Sequence, residues 1–126
     1  MPMRDGTAER REELYQEAME LIARDFAQDL QLEGVARRLA TSRRQLQRAF
    51  AEIGRTSFRD ELAKVRMHHA RQLLAADGIP VRTVAASVGY HQPAQFAKSV
   101  RRHHGQAPST YRKNSRDSVV EAAVAA

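Results

Sequence analysis

The sequence predicts an all-α fold of about seven helices, in which two similar subdomains are joined by one long linking helix. Two observations lead to this prediction. Apolar residues recur every three or four positions along most of the chain, which is the spacing of one buried helical stripe. In addition, the pattern of residues 35–50 returns about 50 residues later, which indicates a repeated unit.

The first subdomain is predicted over residues 7–57, after a disordered lead-in at residues 1–6. It begins with a helix over residues 7–26, whose apolar positions form one stripe and whose other positions are rich in glutamate. The stripe consists of Leu14, Ala18, Leu21, Ile22 and Phe26. The early glutamates favour a helix start here because they meet the positive end of its dipole.

Two further helices complete the first subdomain, a short one over residues 32–39 and a second over residues 43–53. Ser42 is a favourable N-cap for the second helix, and Gly54 is expected to end it as a C′ glycine. The inward positions of the pair are Leu32, Val35, Ala36, Leu39, Leu46, Ala49, Phe50 and Ile53. Arginine and glutamine then remain on the outer face of the second helix.

A long helix over residues 58–76 forms the linking segment, which is assigned to residues 58–77. Thr56 or Ser57 can cap its start, and the Asp77-Gly78 pair followed by Pro80 stops it. Its apolar contacts are Leu62, Val65, Ala70, Leu73 and Leu74. Roughly 19 residues at ~1.5 Å each span nearly 30 Å, so such a helix can hold two small units apart.

The second subdomain is predicted over residues 78–112 and repeats the first. A short helix over residues 81–88 is followed by a turn at Gly89-Tyr90-His91 and by a helix over residues 93–104. Proline suits the first helical position, where its missing N–H is not needed. Phe96, Ser99 and Val100 are expected to face inward.

The end of the chain is predicted to be less regular. Residues 106–112 are expected to form a loop and a short turn from which Tyr111 packs back. Residues 113–126 are a tail, either a frayed helix or disordered.

Charge is distributed unevenly along the chain, which has a formal net charge of +6 over 126 residues. Nine of the 15 acidic residues precede Gly34, whereas residues 78–116 contain seven lysines and arginines and no acidic residue. A compact helical unit with unneutralised arginines favours a polyanionic partner. The absence of cysteine excludes disulfides, thiolate zinc sites and a cysteine nucleophile.

The repeated pattern is that of a helix-turn-helix: a short helix with a small residue near its middle, a tight turn and a second helix. Ala36 and Ala85 occupy the position where the two helices of each unit cross. In such units the second helix enters the major groove of DNA, where arginine can read guanine and glutamine can read adenine. The outward residues with this chemistry are Arg44, Gln47 and Arg48 in the first unit, and Gln95 and Lys98 in the second.

These residues belong to a longer pattern that closely resembles the signature of the AraC/XylS family of bacterial transcription regulators. The motif is Arg66-Met67-x-x-Ala70-x-x-Leu73-Leu74, Val81-x-x-Val84-Ala85-x-x-Val88-Gly89-Tyr90, Phe96-x-Lys98, Arg101-Arg102 and Gly105-x-x-Pro108-x-x-Tyr111-Arg112. The resemblance covers about residues 14–113. It implies a seven-helix domain with two helix-turn-helix subdomains, and sequence-specific binding of promoter DNA that often recruits RNA polymerase.

The resemblance also implies which side chains contact DNA. Base-reading positions fall on Arg44, Gln47 and Arg48, and on Gln92, Ala94, Gln95 and Lys98. We assign phosphate contacts to Ser42, Arg43, Arg55, Arg82, Arg101, Arg102 and Arg112. Ala94 offers only a methyl contact, and lysine at position 98 lacks the fork of the more usual arginine. The second unit is therefore expected to read fewer bases than the first.

One residue departs from the family pattern in the first turn. Ala40 stands where glycine is usual, so the backbone must adjust there or accept left-handed strain.

The sequence also bears on other classes of function. An enzyme is not favoured, because the sequence shows no glycine-framed nucleophile, phosphate loop or paired carboxylates. The adjacent pairs His68-His69 and His103-His104 point about 100° apart on a helix, so no catalytic, metal or cofactor site is assigned. Two alternatives stay open: a basic helical adaptor that binds an acidic protein, and an excised DNA-binding fragment of a larger effector-responsive regulator.

The expected partner is double-stranded promoter DNA, with RNA polymerase as a further candidate. Half-sites one turn apart are separated by ~34 Å, so a monomer is expected to reach two successive major-groove segments; a dimer is left open. The sequence shows no small-molecule site and no membrane span. It favours a cytoplasmic protein that works at the bacterial nucleoid.

Overall fold

A computed structural model describes residues 3–76 and 78–125, and the side chains of residues 7–76 and 78–116. Seven α-helices and no strand occur within these ranges. The helices are α1 (Met3–Asp25), α2 (Leu32–Arg38), α3 (Arg43–Ala49), α4 (Phe58–Ala75), α5 (Val81–Ser87), α6 (Pro93–His104) and α7 (Pro108–Ala125), and a π-helical turn at Phe50–Gly54 follows α3 directly. The all-α fold is confirmed.

Helix α1 begins at Met3 and so extends into the predicted lead-in; Met1 and Pro2 lie outside the described residues. Within the described residues, no helix is both long and apolar enough to pass through a lipid bilayer.

The chain divides into two compact units, and the boundary falls between Val65 and Arg66 inside α4. The first unit packs its core around the predicted stripe of α1. Its buried residues include Ala18, Leu21, Ile22, Leu30, Val35, Ala36, Leu46, Phe50, Phe58 and Leu62. Leu30 and Phe58 were not among the predicted inward positions. At the edge of this core, Arg38 donates to Asp25 at 3.0 Å and lowers the pKa of that carboxyl.

The prediction of one continuous helix over residues 43–53 is wrong beyond Ala49. The chain widens there into the π-helical turn, which has more residues per turn than an α-helix. Leu46, Ala49 and Phe50 are buried as expected, but Ile53 is rotated outward and is 37% exposed. Sequence spacing alone assumes the α-helical rotation and therefore places Ile53 incorrectly.

Gly54 has a different role from the predicted C′ glycine. It lies in the π-helical turn, and Arg55 takes the left-handed conformation with φ of 51°. A Cβ atom on Gly54 would lie 2.5 Å from Cε1 of Tyr15. Glycine is needed here because the ring on α1 approaches the backbone closely.

The second unit has its own core, built from the second half of α4 together with α5 and α6. The buried residues are Met67, Ala70, Leu74, Val84, Ala85, Val88, Phe96 and Val100. Met67 was not predicted as an inward residue.

Ser57, rather than Thr56, caps the start of α4: its Oγ accepts the Asp60 N–H at 3.1 Å.

The predicted loop over residues 106–112 is wrong. Helix α7 begins at Pro108 and runs through the tail, and the Tyr111 N–H donates to the Ala107 carbonyl at 2.8 Å. Proline at the start of a helix needs no N–H partner, so Pro108 favours the helix rather than preventing it. Tyr111 packs back as predicted, with its ring centroid 5.0 Å from that of His104.

Candidate nucleic-acid interface

The first helix-turn-helix is built from α2, a turn at residues 39–42 and α3. Ala36 is 2% exposed where the helices meet, and its carbonyl accepts the Thr41 N–H at 2.9 Å. Ala40 adopts φ of 55°, the left-handed strain that the sequence indicated. Ser42 then caps α3, because its Oγ accepts the Gln45 N–H at 3.1 Å.

Helix α3 presents Arg44, Gln47 and Arg48 to solvent, since its opposite face carries the buried Leu46 and Ala49. These three side chains are spaced as neighbours on one helical face. The structure thus brings together the predicted base-reading residues of the first unit. Exposed guanidinium and amide groups on one face can donate to base edges in a groove.

The second helix-turn-helix repeats this arrangement with α5 and α6. Gly89 takes φ of 97° in the turn, and the Tyr90 N–H donates to the Ala85 carbonyl at 2.9 Å. The Tyr90 hydroxyl lies 2.9 Å from Oγ of Ser99 on α6. The Arg66 guanidinium lies over the same ring at 5.4 Å from its centroid. Tyr90 therefore ties the turn both to α6 and to α4.

The outward face of α6 carries Gln95 and Lys98, and Gln92 precedes it as the N-cap residue. All three are exposed, while Phe96 and Val100 on the other face are buried. Pro93 and Ala94 are also exposed at the start of the helix. The start of this face offers two amides and one ammonium group, and its arginines, Arg101 and Arg102, come only in the last turn of α6, so its first turns are poorer in bidentate donors than α3.

The predicted phosphate contacts lie in both units. Ser42, Arg43 and Arg55 are exposed in the first unit, and Arg82, Arg101 and Arg102 are exposed in the second. Arg43 is paired with Glu33 at 3.3 Å, and both side chains are more than half exposed. An exposed ion pair of this kind contributes little stability, so Arg43 can exchange its partner for a phosphate.

Arg112 differs from the other predicted phosphate contacts. It is half-buried, and its Nε donates to the Leu74 carbonyl at 2.8 Å. Its Nη2 is buried and has no hydrogen-bond partner among the described residues. Arg112 thus connects α7 to the last turn of α4, and its contact with phosphate stays a prediction.

Two contacts near the interface have no signal in the sequence. The Glu33–Arg43 pair joins α2 to α3, and the Tyr90–Ser99 hydrogen bond joins the turn to α6. Pairs of side chains on different helices depend on how those helices cross, and residue spacing along one helix does not give that angle.

His104 lies at the end of α6 and packs against α4 and α7. Its Nε2 donates to the Met67 carbonyl at 3.4 Å, and its ring packs against that of Tyr111 at an interplanar angle of 32°. Burial lowers the pKa of His104, and the positive charges of Arg71 and His103 lower it further against the opposing effect of the Met67 hydrogen bond. The folded second unit therefore favours the neutral imidazole.

The second unit is expected to lose stability as the pH falls below about 6.5, the usual pKa of histidine. Below that pH the unfolded chain binds a proton at His104 more readily than the folded chain does. The free energy of unfolding therefore decreases as the pH falls, until the pH drops below the lowered pKa of the folded state. Thermal unfolding at pH 7.5 and pH 5.5 checks this. His104→Gln should reduce the difference, while His91→Gln, at an exposed position, should not. An equal pH effect in both variants would contradict the assignment.

Comparison with known proteins adds evidence to this geometry. Residues 35–114 match the family model described as "Helix-turn-helix domain". Among curated relatives, the transcriptional regulator GlxA of Rhizobium meliloti is 33% identical over 81 residues, 64% of this chain and 25% of that protein. The transcriptional regulator GadX of Escherichia coli is 32% identical over 95 residues, 75% of this chain and 34% of that protein. The chain therefore spans a quarter to a third of these two relatives.

Solved structures agree with these matches. The C-terminal domain of AraT, a response regulator from Geobacillus stearothermophilus, has a TM-score of 0.76 at 34% identity and covers 80% of this chain and 84% of that one. The DNA-binding domain of AdpA, described in complex with a target DNA, has a TM-score of 0.76 at 25% identity, with coverage of 82% and 93%. A probable AraC family regulator from Rhodopseudomonas palustris shares the fold, with a TM-score of 0.74, 24% identity and coverage of 82% and 98%. The chain thus belongs to the AraC family of helix-turn-helix transcription regulators and carries the DNA-binding domain of that family.

Proposed function

We propose that the chain regulates transcription by binding a specific site in double-stranded promoter DNA, with α3 and α6 entering two successive major-groove segments. One observation carries the proposal. Each unit holds a helix-turn-helix whose second helix buries its apolar face, and α3 leaves a row of hydrogen-bond donors exposed at Arg44, Gln47 and Arg48. The acid-free, basic sequence of residues 78–116 supports the same partner.

The two recognition helices are proposed to read DNA unequally. Arg44 and Arg48 can each donate two hydrogen bonds to guanine, and Gln47 can pair with adenine. In the second unit, Gln92 and Gln95 can read adenine, while Lys98 offers a single ammonium to guanine. The first unit is therefore assigned most of the sequence discrimination.

Phosphate contacts are proposed to set the register of the protein on the duplex. Ser42, Arg43 and Arg55 take this role in the first unit, and Arg82, Arg101, Arg102 and Arg112 in the second. Contacts of this type act on every sequence and weaken steeply with salt. Arg112 would have to share its guanidinium between a phosphate and the Leu74 carbonyl.

The proposal assigns the chain a binding role rather than a catalytic one, with recruitment of RNA polymerase as its downstream effect. It places that role at the nucleoid in the bacterial cytoplasm. Both subdomains lie in one chain, so a monomer is proposed to suffice for binding.

Selection of preferred duplexes from a random pool, followed by footprinting of the winner, tests the proposal. We expect one enriched sequence with two protected segments about 10 base pairs apart, because each recognition helix takes one major-groove segment. Affinity should fall steeply with salt and exceed that for random DNA. Failure to bind any duplex, together with binding to an acidic protein, would favour the adaptor role instead.

A further inference from the structure

The first unit contains an open groove between α3 and the start of α4, with a volume of about 630 Å³. The base of the groove is apolar and includes Leu30, Phe50, Phe58 and Leu62, which are all at most 9% exposed. Helix α3 contributes Arg43 and Gln47 to its lining. Thr56 and Ser57 before α4, and Phe58 and Arg59 at its start, line the other side. The groove is therefore apolar below and polar and cationic at its edges.

Two arginines from different elements line this one groove. Among the residues that the structure describes, Arg43 is paired only with Glu33 in an exposed ion pair. A phosphate can replace Glu33 there because such a pair contributes little stability. Arg59 is exposed at the second position of α4, and no hydrogen bond or ion pair engages it within the described part of the chain. The groove thus has two exposed guanidinium groups in its lining, one from α3 and one from α4.

The groove is also continuous with the face that reads DNA. Gln47, a proposed base-reading residue, lines it. When a side chain reads a base edge in the major groove, the sugar–phosphate strand at the edge of that groove lies beside the recognition helix. Such a strand alternates anionic phosphates with largely apolar sugar faces, which matches cationic edges over an apolar base.

We propose that this groove seats one sugar–phosphate strand of the bound duplex, with Arg59 as a phosphate contact beside Arg43. The inference rests on the proposed function and extends it, because the sequence assigned the start of α4 only a linking role. Helix α4 then contributes to affinity directly as well as joining the two units.

Salt dependence of binding by Arg59→Ala tests the inference. Losing one phosphate contact should lower the slope of log affinity against log salt by about one. Between 50 and 200 mM salt, the wild type should therefore lose roughly threefold more affinity than the variant. Selected and random duplexes should be affected alike, because the contact carries no base information.

Two further variants serve as controls. Arg59→Lys should restore the slope, since the charge is kept. Lys64→Ala removes an exposed charge from the same helix five residues later, about 140° around its axis, and should leave the slope unchanged. Neutral methylphosphonates can also replace the phosphates of the DNA duplex one at a time. At one position this replacement should lower the affinity of the wild type but leave the affinity of Arg59→Ala unchanged.

Equal slopes for the wild type and Arg59→Ala would overturn the inference. If, in addition, benzoate raised the thermal stability of the wild type but not of Arg59→Ala, the groove would instead be a binding site for a small aromatic anion. If Arg48→Ala still lost far more affinity for the selected duplex than for random DNA, the proposed function would stand without the inference. Loss of all duplex binding by the wild type would remove both.

Discussion

Replacing Phe50 with alanine is expected to lower the free energy of unfolding of the first unit by about 3–5 kcal/mol. Phe50 is fully buried, and its ring meets those of Tyr15 and Phe58 edge to face at 5.5 and 5.9 Å. A cavity at this point removes contacts with α1 and α4 together. Small domains are stable by only about 5–15 kcal/mol, so the first unit should be close to unfolding.

Urea denaturation followed by NMR can measure this loss in each unit separately, with the amide signals of Leu46 and Val100 as reporters. Ile53→Ala is the matched control, because Ile53 lies in the same π-helical turn but is 37% exposed. It should change stability by no more than about 0.5 kcal/mol. Similar losses for Phe50 and Ile53 would contradict the rotation introduced by the π-helical turn.

Replacing Arg48 with alanine is expected to weaken binding at the preferred site by about 1–3 kcal/mol, or roughly fivefold to 150-fold. Arg48 is exposed on the same face of α3 as Arg44, where its guanidinium can donate two hydrogen bonds to guanine. Removing it leaves that base without its partner. Binding titrations at constant salt with the selected duplex and with random DNA measure the effect.

Arg37→Ala provides the control for charge alone, because Arg37 is an exposed cation on α2 that is assigned no contact with DNA. It should weaken selected and random duplexes slightly and equally. Arg48→Ala should instead lose far more on the selected duplex. Equal losses on both duplexes would reassign Arg48 to a phosphate contact.

Helix positions were predictable from the sequence wherever a single periodic stripe meets a clear stop signal. Helix α6 has its predicted bounds, with Pro93 at its start and Gly105 after its end. Helix α4 ends one residue earlier than predicted. In both cases the buried face follows α-helical spacing throughout, and the terminal residues have strong conformational preferences of their own.

The errors arise where the local pattern fits more than one backbone geometry. Residues 50–54 carry an apolar residue at a helical interval, so nothing in their spacing distinguishes an α-helix from a π-helical turn. The close approach of Tyr15 to Gly54 is a contact between distant parts of the sequence, which periodicity does not report. Proline at position 108 suits a loop and a first helical turn equally well, so the sequence alone does not distinguish the two.

The outward residues of α3 and α6 were predictable as a set, because the outward face of a helix follows from its buried face. The hydrogen-bond and ion-pair partners of individual arginines were not predictable from the sequence. Arg112 and Arg43 look alike in sequence, yet one donates to the Leu74 carbonyl and the other pairs with a glutamate at the surface. Such differences depend on tertiary packing, which also decides whether an arginine such as Arg59 borders a groove.

The π-helical turn has a consequence for how this domain tolerates insertions and deletions. Each hydrogen-bonded ring of a π-helix encloses one residue more than that of an α-helix. The turn at Phe50–Gly54 therefore absorbs an additional residue between α3 and α4 without rotating the outward side chains of α3. Deletion of one residue here is therefore expected to allow a regular α-helical turn and to leave the outward side chains of α3 in place.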